Sequence, residues 1–307
     1  MPTDAAEVSV VIPNWNGRDL LPDCIASLQQ TRGDLNLEIV VVDDASTDGS
    51  VELLRERFPD VRVISTGSNK GFAGACNRGV ASVETPYVLL LNSDARLQPG
   101  ALKQLMAVAR AQPDAAVVGA QLRNADGTFQ NSYARFPTLW SDWMIITGIG
   151  RLLYGPTYPS CDTTNDGTPL KIDWVGGACM LIRRDAFAAI GGFDEGYFMY
   201  AEEMDLCYRL RKAGAQVWYQ PAAIVIHLGG ESAVNLGARR EAILYRSQVR
   251  FHRLHYGRGA ADLLRAMILT ATAVKIAVHG VLRGASLGRR GRRVVSLREL
   301  RSELRGV

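Results

Sequence analysis

Cysteine is sparse and unpaired in this chain. The five residues, Cys24, Cys76, Cys161, Cys179 and Cys207, are odd in number, widely scattered and never spaced CxxC. That argues against a disulfide framework or a structural zinc site and predicts a reducing compartment. Only 12 of the 307 residues are proline, and no internal repeat or low-complexity block occurs, so collagen-like, coiled-coil and mainly disordered readings fail. The first eleven residues contain Asp4 and Glu7 and lack a basic n-region; they are read as carrying no secretory signal, and a cytoplasmic location is expected. Neither a Walker A loop nor GxGxxG is found, which lowers P-loop and dinucleotide oxidoreductase readings. Arrangements of the Ser/His/Asp or Cys/His type are also missing.

What is present suits a chain that folds. Hydrophobic residues make up 47% and charged residues 21%, with 30 glycines, enough to bury a core in one large domain plus an appendage. The net charge of +4 hides an asymmetry. Residues 1–237 hold 19 basic against 27 acidic residues, and residues 238–307 hold 16 against 4. The chain therefore divides into an acidic body, 1–237, and a basic tail, 238–307, suited to an anionic surface or partner.

The body begins with alternating strands and helices. Apolar runs at Val8–Pro13, Leu37–Val42, Val61–Ile64 and Tyr87–Leu91 predict strands, and Leu20–Gln30, Val51–Phe58, Phe72–Ser82 and Gly100–Ala111 predict helices between and after them. This order implies βαβ units around a mainly parallel sheet covered on both faces, with ligands at the carboxyl ends of the strands. Further on, Asn124–Gly127 reads as a hairpin turn, Gly155–Pro169 as a turn-rich mobile loop and Trp174–Ile182 as one strand-like run. Glu202–Ala213 predicts a helix, and Val217–His227 a strand interrupted by Pro221.

The strand ends carry the chemistry. Asp43-Asp-Ala-Ser-Thr-Asp-Gly49 and Asn92-Ser-Asp94 follow the second and fourth strands. Acids there can accept hydrogen bonds from a nucleoside and hold a divalent cation, or can act as turn-formers and caps. Asn69-Lys-Gly-Phe-Ala-Gly-Ala-Cys-Asn77 opens a helix with small residues that admit a phosphate or sugar. Glu202 and Glu203 start a later helix about 100° apart, so one can face a cleft while the other anchors the turn. His227 closes a strand, either as a ligand or as a structural histidine.

Taken in order, the Asp pair, Asn69-x-Gly-Phe-Ala with Asn77, Asn92-Ser-Asp94, Trp174-Val-Gly-Gly177, Gly191-Gly-Phe-Asp194 and Tyr200-x-Glu-Glu-x-Asp-Leu-Cys-x-Arg209 resemble family 2 inverting glycosyltransferases, particularly the bacterial rhamnosyltransferase branch. The resemblance covers Val8 to Glu231. It implies an α/β GT-A fold, a Rossmann-like mixed sheet flanked by helices, here with a basic helical C-terminal extension. It implies that Pro13, Asn14, Asn16, Asp43 and Asp44 line the nucleoside pocket, that Asn69, Gly71, Phe72 and Asn77 flank the nucleotide-sugar, and that Asn92 and Asp94 occupy the DxD position. His227 matches a late metal-ligand histidine beside Asp94, for Mg²⁺ or Mn²⁺. Glu203 matches the base position with Glu202 beside it, and Trp174, Gly176 and Gly177 fall on the acceptor side. Two positions depart from the family: Asn92 replaces the first DxD aspartate, and Glu203 replaces an aspartate base, one methylene longer.

Inversion at an anomeric carbon needs a carboxylate to deprotonate the acceptor hydroxyl while a nucleoside diphosphate departs from the opposite face, and a cation to offset the departing charge. The expected reaction transfers L-rhamnose from dTDP-L-rhamnose to a lipid-linked glycan, with a UDP-hexose or UDP-galactofuranose donor as the alternative. Because Asn92 is not aspartate, a catalytically silent nucleotide-sugar-binding or membrane-scaffold protein stands as the alternative of another class.

In the tail, Glu241–Tyr256 predicts a helix studded with arginine, and Ala260–Leu282 a more apolar one carrying Arg265, Lys275 and His279. The latter is too charged for a confident span and suits an interfacial helix. Arg283–Arg305 adds eight arginines. The expectation is a peripheral protein on the inner face of the cell membrane, held at an anionic surface, with a solvated helical hairpin as the alternative and nucleic acid disfavoured.

Overall fold

A computed structural model describes residues 6–31, 33, 35–160, 167–229, 239–285 and 296–305. The expected loop 155–169 and the polybasic stretch 283–305 thus fall partly outside the described residues, as does Cys161; the other four cysteines are free and buried. The strands are β1 (Val8–Asn14), β2 (Leu37–Asp43), β3 (Arg62–Ser65), β4 (Tyr87–Leu91), β5 (Ala95–Leu97), β6 (Ala115–Arg123), β7 (Tyr133–Ala134), β8 (Leu170–Ile172), β9 (Trp174–Val175), β10 (Cys179–Arg183) and β11 (Gln216–His227). The helices are α1 (Leu21–Thr31), α2 (Ser50–Arg57), α3 (Gly71–Val80), α4 (Ala101–Ala111), α5 (Leu139–Thr147), α6 (Ile149–Tyr154), α7 (Arg184–Ala189), α8 (Glu202–Lys212), α9 (Arg239–His255), α10 (Arg258–Ala285) and α11 (Leu297–Leu304).

The chain forms two compact units, each discontinuous in sequence. The first comprises Met1–Phe136, Ser160–Phe198 and Glu202–Ser232, and the second Pro137–Pro159, Met199–Ala201 and Ala233–Val307. Residues 137–159 group with the tail helices, a long-range association that a reading along the chain does not supply.

The first unit is built on a mixed sheet in the order β3-β2-β1-β4-β10-β6-β11-β5, with β8 paired to β11. β3, β2, β1 and β4 are mutually parallel, in register Val10↔Ile39 and Val10↔Leu89, as the βαβ spacing requires. β10 enters antiparallel between β4 and β6, so the sheet is mixed. Side chains alternate across β1. Val8, Val10 and Ile12 join a core with Leu21, Ile25, Leu28, Leu54 and Leu102, whereas Val11 joins Ala73, Cys76, Phe187, Leu206 and Leu210 on the other face. Helices α1, α2 and α4 cover one face; α3, α7 and α8 cover the other.

The predicted single run at 174–182 is two strands. The chain breaks after Val175, where Gly176 N–H donates to Ser132 O at 2.9 Å, and resumes at Cys179. Pro221 does not end β11; the register slips between Gln220 and Ile224, a bulge that absorbs its missing donor.

The second unit packs α5, α9, α10 and α11 around Ile146, Ala242, Tyr245, Val249, Leu264, Ile268, Leu300 and Leu304. No helix among the described residues is long and apolar enough to cross a membrane.

Candidate active site

The sheet registers bring the sequence motifs to one edge. Asn14 lies opposite Asp43 at the ends of β1 and β2. Cys179 lies opposite Leu91, so the glycines before β10 abut Asn92 at the end of β4, and Asn92 N–H donates to Ala178 O at 3.0 Å. β5 starts one residue after Asp94 and pairs Ala95 with His227, while Leu228 N–H donates to Asp94 O at 3.1 Å. Asp94 and His227 are thereby joined by backbone pairing.

The two aspartates after β2 do different things. Asp43 is buried and accepts from Ser46 N–H at 3.2 Å and, at 3.4 Å, from Asn14 Nδ2. The carboxylate of Asp44, also buried, accepts from Lys70 N–H (2.9 Å), Gly71 N–H (2.9 Å) and Thr66 Oγ1 (2.8 Å). It satisfies the orphan amides at the start of α3, where the helix dipole favours an anion. Asp48 binds Arg18 N–H and Ser50 N–H as a turn-former. Asn16, in the left-handed region at φ 52°, accepts from Thr47 N–H at 2.8 Å, and Pro13 sits in β1 opposite Val42.

Around α3, Asn69 Oδ1 accepts from Gly71 N–H at 3.0 Å. Gly71 has φ +73°, and a Cβ there would lie 2.4 Å from Phe198 O, so only glycine fits. Asn77 clamps the Gly191-Gly-Phe-Asp194 loop, donating to Phe193 O and Glu195 Oε1 and accepting from Phe193 N–H. A pocket of about 430 Å³ runs between β3 and α3, lined by Ser65, Thr66, Lys70, Gly74, Asn77, Arg78 and Glu195; Lys70 and Arg78 supply its positive charge.

Glu202 and Glu203 begin α8, after Tyr200 and Ala201, both at positive φ (69° and 67°), a strained entry of the kind found at functional sites. Burial and repulsion from Glu203 raise the Glu202 carboxyl well above the carboxylate range. Burial pushes Glu203 up to about 7, with hydrogen bonds from its own amide and that of Gly177 pulling the other way. Oε2 of each is buried without a partner. Near neutral pH Glu203 can exist in either form, which is what a general base needs, while burial and repulsion favour the neutral form of Glu202. Gly177 brings the pieces together: a Cβ there would meet the Phe72 ring at 3.3 Å and Glu203 Cβ at 3.8 Å. Phe72 in turn stands edge-on to Phe193. A Cβ at Gly176 would meet Leu122 and Ser132 O at 3.8 Å, and Trp174 Nε1 donates to Arg135 O at 3.0 Å.

His227 Nε2 lies 3.2 Å from Asp94 Oδ1 and 3.4 Å from Asn92 Nδ2, and Asn92 Oδ1 is buried with no hydrogen bond. Among the described residues no group of three His, Cys, Asp or Glu side chains could hold a metal. A carboxylate, an imidazole and an orphaned amide oxygen fit a hard divalent cation that takes its remaining ligands from phosphate oxygens and water.

Sequence reasoning missed Gln130. Its Oε1 sits 2.6 Å from His227 Nδ1, and its Nε2 donates to Asn124 Oδ1 at 2.9 Å and, at 3.3 Å, to His227 O. The signal was the hairpin turn at Asn124–Gly127, which folds the chain back so that Gln130 N–H bonds Leu122 O beside β11.

Residues 9–191 match the family model described as Glycosyl transferase family 2. An N-acetylglucosaminyl-diphospho-decaprenol L-rhamnosyltransferase of Mycobacterium tuberculosis is 32% identical over 229 residues, covering 67% of this chain and 73% of that protein. Rhamnosyltransferase WbbL of Escherichia coli is 29% identical over 198 residues, 61% of this chain and 72% of that protein. By structure, a mannosyltransferase of Pyrobaculum calidifontis solved with GDP-Man and Mn²⁺ superposes with TM-score 0.56 at 16% identity, over 93% of this chain and 81% of that one. GalNAc-T7, solved with UDP, GalNAc and Mn²⁺, gives TM-score 0.59 at 16% identity over 81% of this chain, which spans about half of it (48%). The sheet order, the residues gathered at its carboxyl edge and the match over most of the first unit lead to one assignment: the chain belongs to glycosyl transferase family 2, is a glycosyltransferase with the GT-A fold, and is rhamnosyltransferase-like.

Proposed function

We propose that the protein transfers L-rhamnose from dTDP-L-rhamnose, with inversion, to a hydroxyl of a lipid-linked glycan at the cytoplasmic face of a membrane. The observation that carries the reaction type is Glu203, a carboxylate raised to about 7 whose Oε2 is buried without a partner. Oε2 accepts the proton of the acceptor hydroxyl as that oxygen attacks the anomeric carbon, and the bond from that carbon to the diphosphate oxygen breaks on the opposite face. At Glu202, burial and repulsion from Glu203 favour the neutral form, which limits competing charge. Asp94, His227 and Asn92 Oδ1 would hold a divalent cation, Mg²⁺ or Mn²⁺, which when bound supplies positive charge to the departing diphosphate. Asn14, Asn16 and Asp43 are the nucleoside side of the site, Asn69, Gly71, Phe72 and Asn77 its sugar flank, and Trp174, Gly176 and Gly177 its acceptor side.

Donor and acceptor rest on the relatives. The M. tuberculosis relative is named for rhamnosyl transfer to a diphospho-decaprenol-linked sugar, and the E. coli one for rhamnosyl transfer. The basic tail supports a membrane-side location, since 16 basic against 4 acidic residues attract anionic lipid. The test is a panel of dTDP-L-rhamnose, UDP-galactofuranose and UDP-hexoses with Mn²⁺. Thermal protection by dTDP-L-rhamnose, and release of dTDP only when a polyprenyl-diphosphate-linked sugar is added, are expected. Protection by a UDP-sugar alone would reassign the donor, and no nucleotide release with any donor would leave a silent binding protein.

A further inference from the structure

The second unit shows a surface that its charge alone does not explain. Of the thirteen large hydrophobic side chains most exposed among the described residues, all but Phe198 belong to this unit. Six fall within residues 140–154: Trp140 (68% exposed), Ile145, Ile149, Leu152 (84%), Leu153 (63%) and Tyr154 (65%). Single exposed leucines are ordinary, but a contiguous set of this kind marks an interaction surface.

These side chains are displayed from a firmly held element. α5 starts with a capping box between Thr138 and Ser141. Its inner face buries Met144 and Ile146, the latter in the core shared with α9, α10 and α11. His252 Nε2 donates from α9 to Asp142 Oδ2 at 2.7 Å, both fully buried. In α6 only Gly150 turns inward, against the Tyr158 ring, and Tyr154 stacks on Tyr158 at 5.4 Å. The apolar residues therefore point outward because the inward positions are already filled.

We propose that α5 and α6 are an apolar anchor that enters the interfacial layer of an anionic phospholipid bilayer, adding to the basic tail's attraction, a membrane reading on which it rests. Charge selects this occupant. The second unit holds 17 basic against 5 acidic residues, and between Pro137 and Pro159 the only acid, Asp142, is the buried partner of His252. Within residues 137–159 no exposed carboxylate stands among the apolar residues to be driven against lipid phosphates, and on α10 the exposed Asp262 beside Leu263 is paired with Arg265 at 3.6 Å. Arg151 is exposed between Ile149 and Leu152, as Arg253 and Arg258 are around Leu254 and Tyr256. Along α10, Leu263, Val274 and Val278 are spaced by eleven and four residues, which puts them on one exposed stripe flanking the helix's buried face. Tryptophan, tyrosine and arginine mixed with aliphatic residues compose an interfacial anchor, whereas the core of a protein interface is depleted of charge. With six residues, α6 lies in the headgroup region and does not cross it.

The test uses the full chain and vesicles of phosphatidylglycerol mixed with phosphatidylcholine, at low and high salt. Screening removes most of the arginine contribution, and apolar burial persists. Wild type should stay partly bound at high salt, and Leu152→Ser/Leu153→Ser/Tyr154→Ser should bind about tenfold or more weakly there, with unchanged melting temperature and donor binding. Brominated lipid should quench fluorescence in wild type, and Trp140→Phe should remove most of that quenching. A triple variant that sediments like wild type at high salt, or quenching indifferent to Trp140, overturns the anchor while leaving the tail's role standing. If wild type binds no anionic vesicles at either salt, the membrane reading falls with it. Lipid-free self-association that the triple variant abolishes would instead assign the surface to a second copy of the chain.

Discussion

His227 Nδ1 donates to Gln130 Oε1 at 2.6 Å, a direction dictated by the Asp126 carboxylate through three short links. Thr128 Oγ1 donates to Asp126 Oδ1 at 2.6 Å and must therefore accept from Asn124 Nδ2 at 2.9 Å. Asn124 Oδ1 then accepts from Gln130 Nε2, which leaves Gln130 Oε1 to accept from the imidazole. The proton of neutral His227 is thus fixed on Nδ1, and the Nε2 lone pair is left facing Asp94.

Removing the orienting partner of a ligating histidine costs about 10–100-fold in metal affinity. Gln130→Leu should therefore weaken Mn²⁺ binding by about tenfold or more, measured by titration of the Mn²⁺ resonance in the absence of donor. Thr128→Val should have a smaller effect in the same direction. Unchanged Mn²⁺ affinity in Gln130→Leu would remove the metal from His227.

The carboxylate pair fixes a pH profile. The base works ionised and its carboxyl is raised by burial to about 7, so kcat/KM should climb as pH rises through about 7 instead of levelling above 5. Glu203→Gln should lower turnover by about 10² or more with donor binding within a few-fold. Glu202→Gln should keep most activity and the same acid limb, because burial and repulsion from Glu203 already favour its neutral form. The reverse pattern in the two variants would exchange their roles.

Much of the fold was legible because its signals are local. The alternation of apolar runs and amphipathic segments gave β1 to β4 and α1 to α4 nearly to the residue, and the carboxyl edge followed from their order. The insertion of β10 between β4 and β6 was not legible, because strand neighbours are settled by packing across distant segments. Within the site, residue identity alone does not say where each polar group's hydrogen bonds go. Asp44 and Asn77 look like ligand-binding polar residues in sequence, yet their hydrogen bonds go to the α3 amides and to the Phe193 loop. Gln130 and the α5–α6 surface depend on a hairpin register and on helices about a hundred residues apart, which no motif spacing encodes.

Gly177 is predicted to be intolerant of the smallest change. In Gly177→Ala the new methyl meets the Phe72 ring at 3.3 Å and Glu203 Cβ at 3.8 Å, so the ring must give or the base must move. Turnover should fall about tenfold with little loss of donor affinity, since a small misplacement of a catalytic group is costly. Phe72→Leu, which shortens the obstructing ring, should recover part of the loss when combined with Gly177→Ala. A double variant no better than Gly177→Ala alone would show that the ring is not the obstacle.

The adjacent aspartates should separate into stability and binding. Asp44 accepts two amides of the α3 start and the Thr66 hydroxyl from a buried position, so Asp44→Ala removes the cap of α3 and leaves Gly71 N–H with Asn69 Oδ1 alone. Losing a helix cap costs about 0.5–2 kcal/mol. For a body of this size each kcal/mol lowers the melting temperature by about 2–4 °C, so a drop of several degrees is expected. Among the described residues the Asp43 carboxylate accepts from Ser46 N–H and, weakly, from Asn14 Nδ2. Asp43→Asn keeps the shape and should lower the melting temperature little while weakening donor binding about tenfold. Calorimetry of the two variants, with and without donor, checks both halves at once. Equal destabilisation by Asp43→Asn and Asp44→Ala, with donor affinity unchanged in each, would make both aspartates structural and move the nucleoside contact to another strand end.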